Sequence, residues 1–485
     1  MSLSKKVAWN TGIQILGRLI KIGVNFLLLF FILSLLGREG YGQYESIFAH
    51  LAFFELIADM GLNTILSKWV VRDEEQGKEI ISNILGIRLF LSVIMVISVF
   101  ASLQLPFLKY GMEERYGIMI ATISSLALLF NAIMQGIFQV KLRMEKQVVG
   151  DIVGSVVTFV LIVIAWALHW NVLMVVLARV IGNVVWFIIT WFYAQQLFHF
   201  RIGFNWSLWK KIIVEALPIG LAIVLWRVYY RADMLMLRHL QLPASGLDNT
   251  EVVGIYGLAY KILDNIIFVP GVFMVATFPI LAKYAFADKE RFKNIYTKSF
   301  QFLGTLAFPM LISIILLAEK IIHILKKDGS FDNAIITLQI LSFAAFLSFF
   351  NSLNNGAIIS LNKQKNLLIL NFLAVCFNVG LNFIIIPRYS YIGAASMTSA
   401  TELLVFTSSW FILRKTSLTL KSFLSLSKII LAAGIMGVCL YFSLPLNFIL
   451  NIIIAGGSFA LALFILDRKL FTDLLKNLPL TNKSA

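Results

Sequence analysis

The sequence has few charged residues for its length. Only 14% of its 485 residues are Asp, Glu, Lys or Arg, whereas 59% are hydrophobic and the mean hydropathy is +0.87. An average soluble protein carries about 25% charged residues. The composition therefore excludes a chain of soluble domains and predicts a protein whose surface faces lipid.

The sequence is equally poor in residues that carry chemistry. Its two cysteines, Cys376 and Cys439, lie far apart in apolar runs, so they suggest neither a disulfide framework nor a metal site. Walker A, HExxH, CxxC and GxSxG motifs are missing, and the five histidines are scattered. These absences give no support to an enzyme, and we expect neither a metal nor a cofactor.

The basic residues are abundant but dispersed. The formal net charge is +16, yet Lys and Arg occur in short clusters between apolar runs, which does not indicate a nucleic-acid partner. If the N-terminus is cytoplasmic, 26 of the 41 basic residues fall on the cytoplasmic side and only 8 on the other. This bias follows the positive-inside rule and predicts a multi-pass protein with both termini in the cytoplasm.

Long apolar runs define the expected architecture. A helix needs about 20 residues to cross the hydrocarbon core, and backbone groups cannot stay unpaired in lipid. We therefore predict an all-α integral membrane protein with about fourteen transmembrane helices. The predicted spans are about 13–36, 43–70, 81–105, 118–140, 148–169, 172–197, 212–238, 253–282, 299–323, 334–359, 367–387, 391–413, 424–445 and 447–466.

Two pairs of similar segments indicate an internal repeat. "GQYESIFAHLAFF" from Gly42 is similar to "GIYGLAYKILDNI" from Gly254, and "FNAIMQGIFQVKLRMEK" from Phe130 to "FNSLNNGAIISLNKQKN" from Phe350. The offsets, 212 and 220 residues, predict two pseudo-symmetric six-helix bundles related by an axis along the membrane normal. The predicted segments are bundles 1–205 and 206–415, two additional helices within 416–466, and a cytoplasmic tail, 467–485.

Charged residues inside the predicted spans concentrate in the first two spans of each bundle. An ionisable side chain at the centre of a membrane helix costs at least about 2.5 kcal/mol, so its position is informative. Many of these residues recur at spacings of three or four, which places them on one helix face. The cations are Arg18, Lys21, Arg227, Arg231 and Lys261, and the acids are Glu55, Asp59, Asp233 and Asp264.

Two interpretations of these charges remain open. In the first, they only pair with each other and lock helices together, for instance Arg18 or Lys21 with Asp59, or Lys261 with Asp264. In the second, they line a water-filled cavity with a cationic wall, where arginine could bind phosphate oxygens in a bidentate manner. We favour the second interpretation, because several stripes are too wide for single pairs.

Other charged residues are expected to have structural roles. Arg88 and Asp151 fall near span ends, so we expect them to extend toward the membrane surface. Arg238 is expected at the outer end of its span, near lipid headgroups. Arg179 and Glu402 form either a structural pair or a proton site, and the structural interpretation is preferred.

Several glycine and proline patterns resemble a known family. "LGREGYGQY" followed by "ADMGLNTILSK", the counterpart "VGIYGLAYKI" with "FPILAK", and "IPRYSYIGAASMTSATEL" resemble the polysaccharide transport branch of the multidrug/oligosaccharidyl-lipid/polysaccharide (MOP) flippase superfamily. The resemblance covers nearly the whole chain. It implies a MATE-like fold and a flippase of polyprenyl-diphosphate-linked oligosaccharides, the units of O-antigen, capsule or exopolysaccharide. Lipid II transport and MATE-type drug or cation antiport are the alternatives.

The resemblance also suggests roles for the charged and aromatic residues. The substrate would cross the cytoplasmic membrane of a prokaryote by alternating access. The protein would function as a monomer, and its partners would be membrane lipids and other polysaccharide assembly proteins. Coupling to H⁺ or Na⁺ stays open. The expected contacts are Arg18, Lys21, Arg227, Arg231 and Lys261 for the diphosphate, Trp226, Tyr229 and Tyr230 for the sugar rings, and Glu55, Asp59, Asp233 and Asp264 for charge balance or coupling.

Overall fold

The computed structural model describes residues 3–72, 76–240, 246–414 and 426–476, and within these ranges it contains fourteen helices and no strand. Positions 415–425 and 477–485, which include parts of the predicted appended segment and tail, lie outside the described residues. The helices are α1 (Leu3–Asp59), α2 (Leu62–Arg72), α3 (Gly77–Ser102), α4 (Met112–Val140), α5 (Met144–Ala167), α6 (Val172–Leu197), α7 (Trp206–His239), α8 (Asn249–Ala287), α9 (Lys289–Leu325), α10 (Asn333–Ser360), α11 (Gln364–Leu413), α12 (Ser427–Ser443), α13 (Phe448–Leu466) and α14 (Arg468–Lys476).

Two of these helices each carry two predicted spans. α1 contains a non-helical residue at Gly37, with φ 62°, where the missing side chain makes the left-handed conformation inexpensive. α11 contains another at Ser390, three residues after Pro387, which cannot donate a backbone hydrogen bond. With these kinks counted as boundaries, each predicted span overlaps a helical segment. The prediction of an all-α, multi-pass membrane protein is confirmed.

Length and hydropathy support the same conclusion. Among the described residues, ten helices are long and apolar enough to cross a membrane, and the bent α7 makes eleven. α12 is apolar but has only 17 residues. Large apolar side chains such as Phe192, Phe442 and Ile465 lie exposed on the surface. Such surfaces suit lipid, because extensive exposed apolar patches are rare on soluble monomers.

The chain divides into two compact units, Met1–Gly254 and Ile255–Ala485. In the N-terminal unit, buried residues of α2, α3 and α4 form one core, which includes Leu66, Ile84 and Phe138. The bundle limits at 205 and 415 stay predictions.

The C-terminal unit has its own aromatic core. Phe300 of α9 and Phe350 of α10 pack with their ring centroids 4.7 Å apart, and Leu463 of α13 joins the same cluster. Lys320 of α9 donates hydrogen bonds to the Leu446 carbonyl (2.5 Å) and to the Asn451 side chain (2.7 Å). The two appended helices, α12 and α13, are therefore attached to this unit by both apolar and polar contacts.

The second predicted span is broken. The sequence predicts one helix over 43–70, but α1 ends at Asp59 and α2 begins at Leu62. Between them, Met60 and Gly61 adopt positive φ values of 40° and 71°. At this break, the last carbonyl groups of α1 and the first amide groups of α2 lose the partners that a continuous helix would provide.

A second irregularity lies against this break. α7 bends by 45° between Pro218 and Gly220. A Cβ atom on Gly220 would lie 2.6 Å from the carbonyl oxygen of Met60, so the backbones meet at a distance that only glycine permits. The sequence between Asp59 and Asn63 is thus held close to the bend of α7.

The repeated glycine motifs form a close helix crossing. A Cβ atom on Gly42 would lie 1.8 Å from the Thr250 carbonyl oxygen, and one on Gly254 would lie 2.4 Å from the Arg38 carbonyl oxygen. Small residues allow such approach between membrane helices. Beside the crossing, Arg38 donates two hydrogen bonds to Glu251, of 3.0 and 2.7 Å. The first repeat pair therefore brings α1 and the start of α8 together.

Candidate functional site

A cluster of charged residues lies at the break between α1 and α2. The carboxylate of Asp59, the last residue of α1, contacts two guanidinium groups. Arg227 Nη2 of α7 lies 3.1 Å from Asp59 Oδ2, and Arg88 Nη1 of α3 lies 3.4 Å from Asp59 Oδ1. One carboxylate is thus shared between two arginines.

Arg88 does not extend toward the membrane surface, and the prediction that it does is wrong. It is 0% exposed, in the interior of the N-terminal unit. Its Nη2 donates a 3.2 Å hydrogen bond to Asn63 Oδ1 of α2, while its Nε is buried and has no hydrogen-bond partner among the described residues. Arg88 falls near the start of a predicted span, but α3 packs against α2, and this packing encloses it. A guanidinium removed from water in this way requires a counter-charge.

Arg227 is far more accessible. About 40% of its side chain is exposed, compared with 15% for Asp59. The neighbouring Trp226 is also 40% exposed and stacks on Tyr230, with ring centroids 5.3 Å apart. Tyr230 and Tyr229 are both buried. Of the three predicted sugar-stacking residues, Trp226 therefore offers the most accessible ring.

The other predicted charges of α7 lie against neighbouring residues of the same helix. The Arg231 guanidinium lies 5.7 Å from the centroid of the Tyr230 ring. Asp233 is 1% exposed, and its carboxylate accepts a hydrogen bond from the Met234 amide. Asp233 is therefore held in the interior of the N-terminal unit.

A second acid, Glu55, lies one turn before Asp59. It is hydrogen-bonded to Ser125 and is close enough to Arg227 and Arg179 to interact electrostatically. Arg179 donates a 2.7 Å hydrogen bond to the Tyr44 hydroxyl. Glu55 therefore lies in the electrostatic field of two arginines, whereas Asp59 contacts two arginines directly.

Lys21 is paired within the N-terminal unit, but with an unexpected partner. Its Nζ lies 2.5 Å from Asp151 Oδ1 of α5 and 4.9 Å from the centroid of the Trp186 ring. The sequence suggests Asp59 as its partner and predicts that Asp151 extends toward the membrane surface. Instead, the two residues join α1 to α5, and the predicted cation Arg18 lies one turn before Lys21.

Two predicted residues lie in the C-terminal unit. Lys261 and Asp264 are three positions apart on α8, where the Lys261 carbonyl accepts a hydrogen bond from Asn265. Glu402 of α11 accepts a 2.7 Å hydrogen bond from Asn351 of α10. The roles of these residues stay predictions.

Arg238 lies at the end of α7, as predicted, and forms an ion pair there. Its position relative to lipid headgroups stays a prediction. Arg238 donates two hydrogen bonds to Glu114 of α4, of 2.9 and 2.5 Å, and the two side chains are only 11% and 3% exposed. The Tyr110 ring lies 5.6 Å from its guanidinium, and burial and the Glu114 carboxylate raise the pKa of the Tyr110 hydroxyl. His50 hydrogen-bonds to the same hydroxyl. The end of α7 is therefore held by an ion pair, whereas the Arg227 side chain in the middle of α7 is partly exposed.

Comparisons with known proteins agree with this architecture. Residues 3–285 match the family described as polysaccharide biosynthesis protein, and residues 218–384 match the MatE family. The chain is similar to the probable flippase AglR of Haloferax volcanii, with 26% identity over 152 residues. That match covers 31% of this chain and about a third, 32%, of the length of that relative.

Two solved structures share the fold. The lipid II flippase MurJ, in an inward closed conformation, aligns with a TM-score of 0.75 and 16% identity over 96% of this chain and 99% of its own. A multidrug resistance MATE family transporter in an inward-facing conformation aligns with a TM-score of 0.63 and 15% identity, over 83% and 99%. The predicted family is confirmed, because the first family match covers more than half of the sequence. The chain belongs to the polysaccharide biosynthesis protein family of the MOP flippase superfamily.

Proposed function

We propose that the protein is a flippase that moves polyprenyl-diphosphate-linked oligosaccharides from the inner to the outer leaflet of the cytoplasmic membrane. The observation that supports this most directly is the pairing of a partly exposed guanidinium, Arg227, with an exposed indole, Trp226. A guanidinium binds phosphate oxygens in a bidentate manner, and an aromatic face can pack against a sugar ring. These are the two chemical parts that adjoin each other in the proposed substrate.

The arrangement of charges supports an anionic ligand. Because Asp59 already contacts Arg88, Arg227 receives only part of the counter-charge that this carboxylate can provide. A phosphate group would supply the rest of the counter-charge of Arg227. The polyprenyl chain would remain in lipid, and the site would open alternately to the two sides of the membrane. Glu55 and Asp59 are the acids we propose for any coupling to H⁺ or Na⁺, since they lie beside Arg227.

The proposal is tested by reconstitution. The purified full-length protein is placed in liposomes with a fluorescent polyprenyl-diphosphate oligosaccharide, and movement between leaflets is followed by a quencher added outside. Arg227→Ala should slow the movement about 10- to 100-fold, because a lost charge-assisted hydrogen bond is worth about 1.5–3 kcal/mol. Arg227→Lys, which keeps the charge without the planar fork, should fall between Ala and wild type.

A matched control is Arg143→Ala, which removes an arginine whose side chain is 59% exposed before α5. It should flip the substrate at the wild-type rate. If Arg227→Ala also does so, the proposed diphosphate site is wrong. If the wild-type protein flips no lipid-linked oligosaccharide in liposomes that retain folded protein, the proposed function itself is wrong.

Lipid II transport is a second candidate, because the fold matches the lipid II flippase MurJ over 99% of that chain. Lipid II also carries a polyprenyl diphosphate, so Arg227 could serve either substrate. Competition in the same liposomes separates them: the oligosaccharide should inhibit its own fluorescent analogue more strongly than lipid II does. A cation antiporter is less well supported, because Asp59 is occupied by two arginines.

A further inference from the structure

Arg88 is a buried charge to which the proposed function assigns no role. We propose that Arg88 is a positioning residue: it holds the Asp59 carboxylate and so keeps Arg227 available for the diphosphate of the substrate. This inference rests on the proposed function and deepens it. Arg88 itself cannot touch the substrate in this state, because it is 0% exposed.

The two arginines approach different oxygens of the same carboxylate. Arg88 Nη1 faces Oδ1 at 3.4 Å, and Arg227 Nη2 faces Oδ2 at 3.1 Å. They differ in access to water, since Arg227 is 40% exposed. A charge without water depends on its counter-ion far more than a hydrated one does. Asp59 is therefore committed to Arg88, whereas Arg227 can exchange Asp59 for a phosphate.

The other contacts of Arg88 strengthen its dependence on Asp59. Its Nη2 is bonded to the neutral amide of Asn63, and its Nε has no hydrogen-bond partner in the part of the chain that the structure describes. Within that part, neither atom contacts an acid. Glu55, the other acid near Arg227, is hydrogen-bonded to Ser125 and interacts with more than one arginine. The more closely the Asp59 carboxylate pairs with Arg88, the less it neutralises Arg227, and the more positive charge Arg227 retains for a phosphate.

Arg88 also fixes where this carboxylate lies. Asp59 ends α1 and Asn63 belongs to α2, so the two hydrogen bonds of Arg88 span the break at Met60 and Gly61. Without this link, Asp59 would be attached only to the end of a broken helix. It could then turn toward Arg227 and form an undivided ion pair.

The test measures binding of inorganic pyrophosphate to the purified full-length protein by calorimetry. Arg88→Gln should weaken binding about tenfold, the scale on which a nearby opposite charge shifts an ionic equilibrium. Arg88→Lys should weaken it less, because it keeps a cation for Asp59. The double variant Arg88→Gln with Asp59→Asn should regain wild-type affinity, since the competing carboxylate has been removed. The thermal unfolding of each variant is measured alongside, because a residue that only supported the fold would change pyrophosphate affinity only in proportion to the loss of folded protein.

Asp59→Asn alone provides a test that does not depend on how Arg88 variants fold. It should bind pyrophosphate at least as tightly as wild type, and weaker binding would contradict the proposal. The positioning role is also wrong if Arg88→Gln binds like wild type, if the double variant stays impaired, or if wild type binds no pyrophosphate.

The liposome assay separates this inference from the proposed function. If the wild-type protein flips the lipid-linked oligosaccharide but pyrophosphate affinity is independent of Arg88, the positioning role fails and the function stands. If pyrophosphate affinity follows the predicted order but no flipping occurs, the charge arrangement is supported and the proposed function fails.

Discussion

The two units of the protein use different polar chemistry in their interiors. In the N-terminal unit, ion pairs join helices that are far apart in sequence, as between Arg88 and Asp59 or between Arg238 and Glu114. In the C-terminal unit, much of the buried polar surface consists of amides and hydroxyls. Asn354 of α10, for example, accepts from the Tyr296 hydroxyl at 2.5 Å and donates to Ser409 Oγ at 2.7 Å.

This difference separates polar groups whose charge and hydrogen bonds are fully satisfied within the protein from polar groups that can still bind a ligand. A neutral hydrogen bond satisfies both partners and leaves no net charge for a ligand. At Asp59, one carboxylate serves two arginines, so the cluster can still bind an anion. The Arg238–Glu114 pair is the internal reference, because it has one acid for one base and both side chains are buried. We therefore expect function where one carboxylate is shared by two arginines, and not wherever a charge is buried.

The largest effect on stability should come from breaking that balanced pair. Glu114→Ala leaves Arg238 buried without its counter-charge, and removal of one partner of a buried ion pair costs about 3–5 kcal/mol. We expect a marked drop in the thermal unfolding temperature of the purified protein. Glu319→Ala, which removes a carboxylate that is 70% exposed on α9, is the control and should leave the transition nearly unchanged. Equal transitions for the two variants would show that the pair does not stabilise the unit.

A smaller effect is expected from breaking the uncharged hydrogen bonds of Asn354 in the C-terminal unit. Asn354→Leu leaves the hydroxyls of Tyr296 and Ser409 without this partner, which should cost about 1–3 kcal/mol. The unfolding temperature should fall less than in Glu114→Ala, and the flipping rate per folded molecule should equal that of wild type. A large loss of flipping with little loss of stability would mean that the amide network has a transport role, and the comparison between the units would fail.

Much of the fold could be predicted from the sequence, because membrane spans are determined locally. The predicted span 172–197 coincides with Val172–Leu197, and 334–359 differs from Asn333–Ser360 by one residue at each end. The break inside 43–70 was missed, although Gly61 carried a local signal. A single glycine in an apolar run is compatible with a continuous helix, and the neighbouring bend of α7 is not visible in that segment.

The candidate site was harder to predict, because its partners are far apart in the chain. Arg227 and Asp59 were both selected for their charge within an apolar span, and they do meet. Arg88 and Glu114 were not selected, since each falls near the start of a span, where charge is ordinarily solvated. Their burial depends on how α3 and α4 pack against other helices, and this packing cannot be deduced from the local sequence around either residue.

The smallest effect should come from the pair of Lys21 and Asp151, which tests whether every predicted cation belongs to the binding site. Their side chains are 22% and 26% exposed, so a double-mutant cycle with Lys21→Met and Asp151→Leu should give a coupling energy of about 1 kcal/mol or less in thermal unfolding. Because Asp151 already neutralises Lys21, the double variant should flip substrate at nearly the wild-type rate, unlike Arg227→Ala. If it is instead as slow as Arg227→Ala while remaining folded, balanced pairs also take part in transport, and the distinction between shared and balanced charges does not hold.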